Sequence, residues 1–150
     1  MSRLFGLPAH PLLVHFPVVA IPALSIIALF IAFRPSFRER YGLPTVLLGV
    51  VTTIATFLAA ASGESLSDEF GFTDEVIGDH RSLGETLRLF VLGLTVTIIG
   101  VVAAARRVSE GDRSPAVLPL GVLVLAFSAL SMVWVIRTGH AGASSVWGGF

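Results

Sequence analysis

The run PLLVHFPVVAIPALSIIALFIAF, residues 11–33, decides the class of fold. It contains no Asp, Glu, Lys or Arg, and a helix needs about 20 apolar residues to cross a bilayer. Apolar side chains occur all round the segment rather than along one stripe, as in lipid-embedded helices. Three further apolar runs cover residues 43–62, 83–105 and 115–136. We therefore predict an all-α fold, an integral membrane four-helix up-and-down bundle that forms one domain over residues 1–150.

The composition agrees with a membrane protein and excludes several kinds of site. Hydrophobic residues make up 54% of the 150 and charged residues only 13%, whereas a soluble domain is about a quarter charged. The formal net charge is zero, so nothing predicts a nucleic-acid partner. The chain has no cysteine, which excludes thiolate-ligated metals and haem attached through cysteine. His, Asp and Glu remain as metal ligands, and no HExxH zinc motif is present.

The arginines predict the orientation of the bundle. Two of the predicted loops carry most of them: Arg34, Arg38, Arg40, Arg106, Arg107 and Arg113. By the positive-inside rule these loops face the cytoplasm, so both termini lie on the extracytoplasmic side of a bacterial inner membrane. Residues 11–33 are longer than the apolar region of a signal peptide, and no A-x-A cleavage site follows them, so we expect a retained helix.

Local signals predict where the helices begin and end. Ser82 and Glu85 read as a capping box at the start of the third span. Ser114 and Pro115 read as the N-cap and first residue of the fourth. The acidic connection between spans two and three is expected to be a loop. The glycines around His140 are expected to end the fourth helix and leave a flexible tail.

All four histidines fall at the predicted outer ends of the spans. His10 and His15 lie at the start of the first span, His80 just before the third and His140 just after the fourth. His15 lies about one turn inside its helix, where an ionisable side chain usually faces the bundle interior. The four positions therefore predict one site at the outer face.

A b-type haem is the first hypothesis for this site, because bundle cores commonly hold cofactors and histidines serve as axial ligands. His10 and His15 lie on one helix and point to different faces, so both cannot ligate one iron. We predict His15 as one axial ligand and His80 or His140 as the other, with His10 as a neighbouring or alternative ligand.

Other residues near the outer face would complete the haem site. Arg88 and Arg137 are placed to neutralise the haem propionates. Gly139 and Gly142 would let the backbone approach the flat ring closely. The protein would then transfer electrons.

Two other functions are compatible with the same residues. The first is a zinc or copper site, since imidazole suits both metals. Its candidate ligands are His10, His15, His80, His140, Glu64 and Glu85. The second is a structural accessory subunit of a membrane complex, in which the histidines serve packing and hydrogen bonding. A homodimer is also possible, because the small residues 59–63, Gly93 and Gly100 could support close helix contact.

Three stretches resemble an uncharacterised family of small bacterial four-helix membrane proteins. They are GLPAHPLLVHFPVVAIP, HRSLGE and TGHAGASSVWG, and they carry the motifs HPxxVHFP and GHxGxxxVxG. The resemblance implies that His10, His15, His80 and His140 are the family's characteristic positions. The resemblance also implies relatives that are joined to Rieske iron–sulfur or cytochrome-like modules, and relatives described as haem-containing. The resemblance therefore implies a redox role, with a separate redox partner protein or a quinone.

Overall fold

A computed structural model describes residues 3–4, 6–107 and 114–147. Almost all of them are helical. The helices are α1 (Ala9–Phe33), α2 (Pro35–Phe70), α3 (Asp74–Arg106) and α4 (Val117–Trp147). Before α1, two-residue strands β1 (Arg3–Leu4) and β2 (Leu7–Pro8) form a small antiparallel hairpin. Each helix is long and apolar enough to cross a membrane.

The helices form a ring in which every neighbour is antiparallel. α1 packs against α2 and α4, and α3 packs against the same two helices, so α1 and α3 lie diagonally across the bundle. Arg34 alone joins α1 to α2, and residues 71–73 join α2 to α3. The predicted all-α up-and-down membrane bundle is confirmed. We call the end where α1 and α3 begin the histidine end, and the opposite end, with Arg34, Arg38, Arg40, Arg106 and Arg107, the arginine end.

Two apolar clusters fill the bundle. The larger one includes Leu24 of α1, Leu94 and Ile98 of α3, and Val124 of α4, all fully buried. The smaller one lies nearer the histidine end and joins Ile21 to Val91 and Val135.

The buried positions of α2 are small or hydroxyl-bearing, and Val46 and Leu48 of this helix add partly buried contacts to the larger apolar cluster. Its buried positions are Gly42, Thr45, Gly49, Thr52, Thr56, Ala59, Ser62 and Ser67. At Gly49 the backbones approach closely enough for Thr95 Oγ1 to donate to the Gly49 carbonyl at 3.1 Å. Thr95 also shares a 2.9 Å hydrogen bond with Thr53. Small residues at the contact and hydroxyl hydrogen bonds across it are typical of helix packing in membranes.

Gly93 and Gly100, which the sequence suggests as dimer contacts, pack against α4 within the same chain. A Cβ on Gly93 would stand 2.5 Å from Phe127 Cε1 on α4, and one on Gly100 would stand 3.2 Å from Leu120 Cδ2. Both glycines therefore accommodate side chains of α4. The homodimer itself remains a prediction.

The predicted helix boundaries were wrong in four places. α3 begins eight residues before Ser82, whose hydroxyl donates to the Asp79 carbonyl within the helix. α4 begins at Val117, after a turn closed by the Ser114 carbonyl. The acidic connection is mostly helix, because α2 continues to Phe70 and ends at Gly71, which has a φ of 67°.

The fourth error concerns the C-terminal stretch, which is helical through Trp147 rather than a flexible tail. Gly142 of this stretch packs against His80 of α3, as described below. Arg113 and residues 148–150 lie outside the described residues.

Candidate functional site

His10 and His80 meet at the centre of the histidine end. They come from the diagonal helices α1 and α3. Their ring centroids are 6.0 Å apart and their ring planes are almost perpendicular, at 83°. Both side chains are partly buried. Of the four histidines predicted to share one site, these two lie side by side.

His10 is held by the end of α2. Its Nδ1 donates to the Ala59 carbonyl at 2.9 Å and lies 3.3 Å from Ser62 Oγ. Its ring packs closely against Gly63 of α2, since a Cβ at this position would stand 2.9 Å from His10 Cε1. Any side chain at position 63 would therefore displace the ring.

His80 is held by α4 in the same way. Its Nδ1 donates to the Thr138 carbonyl at 2.9 Å. A Cβ on Gly142 would stand 2.8 Å from His80 Cε1. The helical hairpins α1–α2 and α3–α4 therefore use the same arrangement. The histidine of the first helix donates to a carbonyl of the second helix, and a glycine four residues after that carbonyl leaves room for the imidazole ring. The two hairpins thus present equivalent imidazoles to each other.

These hydrogen bonds fix which ring nitrogen carries the hydrogen. A carbonyl oxygen only accepts, so Nδ1 of each ring is the donor. In the neutral imidazole, Nε2 then keeps a free lone pair. Within the described part of the chain, neither Nε2 has a hydrogen-bond partner. A metal-binding histidine usually donates its other ring N–H to a carboxylate, a backbone carbonyl or a water, and both rings have such an acceptor.

His15 and His140 do not join this pair. His15 is exposed on α1, and its Nδ1 donates to the Pro11 carbonyl one turn earlier. The expectation that His15 faces the bundle interior is not met. His140 is also exposed, and with Arg137 it lines an open cleft of about 510 Å³ between α3 and α4. His10 and His80 are not among the residues that line this cleft.

The charged residues at this end divide into paired and unpaired groups. Arg81 contacts both predicted acidic ligands, Glu64 at 3.0 Å and Glu85 at 3.7 Å. Arg88 and Arg137 have no carboxylate partner among the described residues. Their guanidinium groups stack over aromatic rings instead, Arg88 5.6 Å from Phe57 and Arg137 5.2 Å from Trp134.

A family model described as "Predicted membrane protein (DUF2231)" matches residues 6–149 of the chain. The chain belongs to the DUF2231 family. Its expected membership of an uncharacterised membrane-protein family is thereby confirmed. The relationship to Rieske and cytochrome-like modules stays a prediction. No solved structure matches the chain.

The two glycines predicted to approach a haem have different surroundings in this DUF2231 chain. Gly142 contacts the His80 ring, whereas a Cβ on Gly139 would meet nothing within 4 Å.

Among residues 3–4, 6–107 and 114–147, no group of three or more His, Asp and Glu side chains is arranged to hold a metal ion.

Sequence reasoning missed the partners that hold the histidines. Ala59, Ser62 and Gly63 lie in the small-residue run 59–63, for which the sequence alone predicts only a dimer contact. The signal was present, because a small residue in a membrane helix allows close approach by any neighbour. Thr138 could not be found this way, since its carbonyl and not its side chain binds His80.

Proposed function

We propose that this protein holds one b-type haem at the histidine end, with His10 and His80 as the axial ligands, and that it transfers electrons. One observation carries the proposal. Two imidazoles on diagonal helices have their Nδ1 atoms fixed by backbone carbonyls, and their ring centroids are 6.0 Å apart. The ligand on α1 is therefore His10 rather than His15.

The spacing of the two rings supports a shared metal. A bond from imidazole nitrogen to a first-row metal is about 2.0–2.1 Å long, so two nitrogens on one metal stand about 4 Å apart. With both Nε2 atoms turned towards one metal, each ring centroid would lie about 1 Å behind its nitrogen and the centroids about 6 Å apart, which is close to the observed 6.0 Å.

The number of ligands favours haem over a bare metal ion. Haem iron takes its remaining ligands from the porphyrin and needs only axial groups from the protein. Zinc sites use three or four protein ligands, and the described residues offer no group of three. Glu64 and Glu85 are already engaged by Arg81. A zinc or copper site therefore has less support than haem.

Two arginines are available for the haem propionates. Arg137 precedes Thr138, the residue whose carbonyl anchors His80, and Arg88 lies about two turns after His80 on the same helix. Both guanidinium groups rest on aromatic rings without an acidic partner in the described structure. Because the chain lacks cysteine, these contacts and the two histidines would hold the haem without a covalent bond.

The charges also support an orientation. The arginine end carries Arg34, Arg38, Arg40, Arg106 and Arg107, and the positive-inside rule assigns that end to the cytoplasm. The haem would then lie near the extracytoplasmic face of a bacterial inner membrane. Bound there, it would accept and release single electrons, with a separate redox protein or a quinone as the partner.

The structural accessory role is the second candidate, and the same hydrogen bonds favour it. His10 joins α1 to α2, and His80 joins α3 to α4. Such side chain–backbone contacts alone can stabilise helix packing in a membrane. This alternative does not explain why the two free Nε2 atoms belong to rings that lie next to each other at the histidine end.

A reduced-minus-oxidised visible spectrum distinguishes the two. The protein is purified in detergent from haem-sufficient cells as wild type, His10→Ala and His80→Ala, with His15→Ala and His140→Ala as matched controls. We expect sharp α and Soret bands in the wild type and both controls, and their loss in His10→Ala and His80→Ala. A flat wild-type spectrum at full haem supply would reject haem binding. Loss of the bands in His15→Ala alone would identify His15, rather than His10, as the haem ligand on α1.

A further inference from the structure

The arginine end contains a groove that is lined by both apolar and cationic side chains. It has a volume of about 540 Å³ and lies where α1 meets α2. Ile27, Phe30 and Phe37 form its apolar part, and Arg34, Ser36 and Arg40 form its polar part. We propose that this groove binds an anionic phospholipid, with the phosphate between Arg34 and Arg40 and an acyl chain along the apolar part.

The three arginines of this connection have different roles. Arg38 is engaged by the protein itself, because its Nη1 donates to the Ile31 and Ala32 carbonyls at the end of α1, both at 3.1 Å. Arg34 and Arg40 are exposed, and no described carboxylate pairs with either. Two unpaired guanidinium groups on one groove match a phosphodiester, because guanidinium binds phosphate oxygens through charge-assisted hydrogen bonds.

Aromatic rings give this groove a fixed wall. Phe30 contacts Phe37 at a centroid distance of 5.5 Å, and Phe37 contacts Tyr41 at 4.7 Å. The Arg40 guanidinium stacks on Tyr41, 5.3 Å from the ring centroid. Stacking holds Arg40 beside the groove, and Tyr is enriched at the depth of lipid headgroups. The cationic part thus lies at headgroup level, with the apolar part facing the acyl chains.

A lipid fits this groove better than a free anion does. Ile27 and Phe30 belong to the membrane-spanning part of α1, so the apolar part opens where acyl chains lie. A free phosphate would use the arginines and leave this part without a ligand. Basic pockets at the ends of membrane helices commonly bind anionic headgroups.

The test is native mass spectrometry of the full chain in nanodiscs of phosphatidylglycerol and phosphatidylcholine. The variant is Arg34→Gln with Arg40→Gln, and its matched control is Arg106→Gln with Arg107→Gln, two arginines at the same end but outside the groove. We expect the wild type and the control to retain phosphatidylglycerol over phosphatidylcholine. The groove variant should lose at least about tenfold in retention, since each basic residue near the headgroups contributes measurably to anionic-lipid binding.

Three results would overturn the proposal. The first is equal retention of the two lipids by the wild type, and the second is an equal loss in both variants, which would indicate general surface charge. The third is full displacement of the lipid by inorganic phosphate, which would make the ligand a free anion. If the groove variant fails to fold, the proposal is tested instead by crosslinking the wild-type protein to photo-crosslinkable phosphatidylglycerol. Crosslinks must then fall on residues 27–41, and crosslinks elsewhere would reject the groove.

Discussion

Gly142 and Gly139 lie on adjacent turns of α4 but have different surroundings. A Cβ at position 142 would stand 2.8 Å from His80 Cε1, whereas at position 139 it would meet nothing within 4 Å. We expect Gly142→Ala to push the imidazole away and to destabilise the fold by about 1–3 kcal/mol, the usual cost of overpacking. Gly63→Ala, whose Cβ would stand 2.9 Å from His10 Cε1, should act in the same way.

Gly139→Ala is the matched control, because alanine is favoured over glycine inside a helix by about 1 kcal/mol. Denaturant unfolding of the three variants in detergent measures the difference. Equal stability of Gly142→Ala and Gly139→Ala would contradict the contact between His80 and α4.

At the same scale, the sequence predicts that histidines meet but not which ones. His10 and His15 are five residues apart, so they differ by about 140° around the helix axis. The rotation of α1 decides which of them faces inward. That rotation depends on Ala59, Ser62 and Gly63 of α2, which receive the His10 ring. No pattern within residues 10–17 contains this information.

At the scale of elements, the contact between α3 and α4 depends on a close approach at Gly93. A Cβ there would stand 2.5 Å from Phe127 Cε1, so we expect Gly93→Ala to separate the two helices and to cost about 1–3 kcal/mol of unfolding free energy. Phe127→Leu in the same chain should recover part of the loss, since a smaller side chain leaves room for the methyl group. Gly84→Ala on the same helix is the control, because its Cβ would lie 3.9 Å from Thr138 Cγ2.

Thermal unfolding in detergent tests the contact between α3 and α4. No recovery in the double variant, or an equal loss in Gly84→Ala, would show that Gly93 does not act through Phe127.

The elements themselves were predictable, and their ends were not. Runs of about 20 apolar residues give the number and order of membrane helices. Beyond the bilayer the sequence is polar, and capping signals at Ser82 and Ser114 resemble true helix starts. α3 nevertheless begins at Asp74 and α4 continues to Trp147. The helices extend because they pack on each other there, with His80 against Gly142, and such packing depends on residues distant in sequence.

At the scale of the whole molecule, the charge asymmetry predicts how the bundle lies in the membrane. The natural chain has no cysteine, so single-cysteine variants can be labelled without background. Ser144 at the histidine end and Glu39 at the arginine end are both exposed. We expect a membrane-impermeant thiol reagent to label Ser144→Cys in intact cells. Glu39→Cys should react only after the membrane is opened. The reverse pattern would place the histidine pair on the cytoplasmic side.

The ring geometry of the whole site gives the most direct test. His10 and His80 are fixed by hydrogen bonds to two different helices, and their planes stand at 83°. Axial imidazoles that are nearly perpendicular give ferric haem a strongly anisotropic low-spin signal. The decisive measurement is therefore the electron paramagnetic resonance spectrum of the oxidised, detergent-purified protein. We predict this strongly anisotropic low-spin signal in the wild type, and its loss in His10→Ala. A high-spin signal, or no haem signal at full haem supply, would contradict the proposed ligation of haem by His10 and His80.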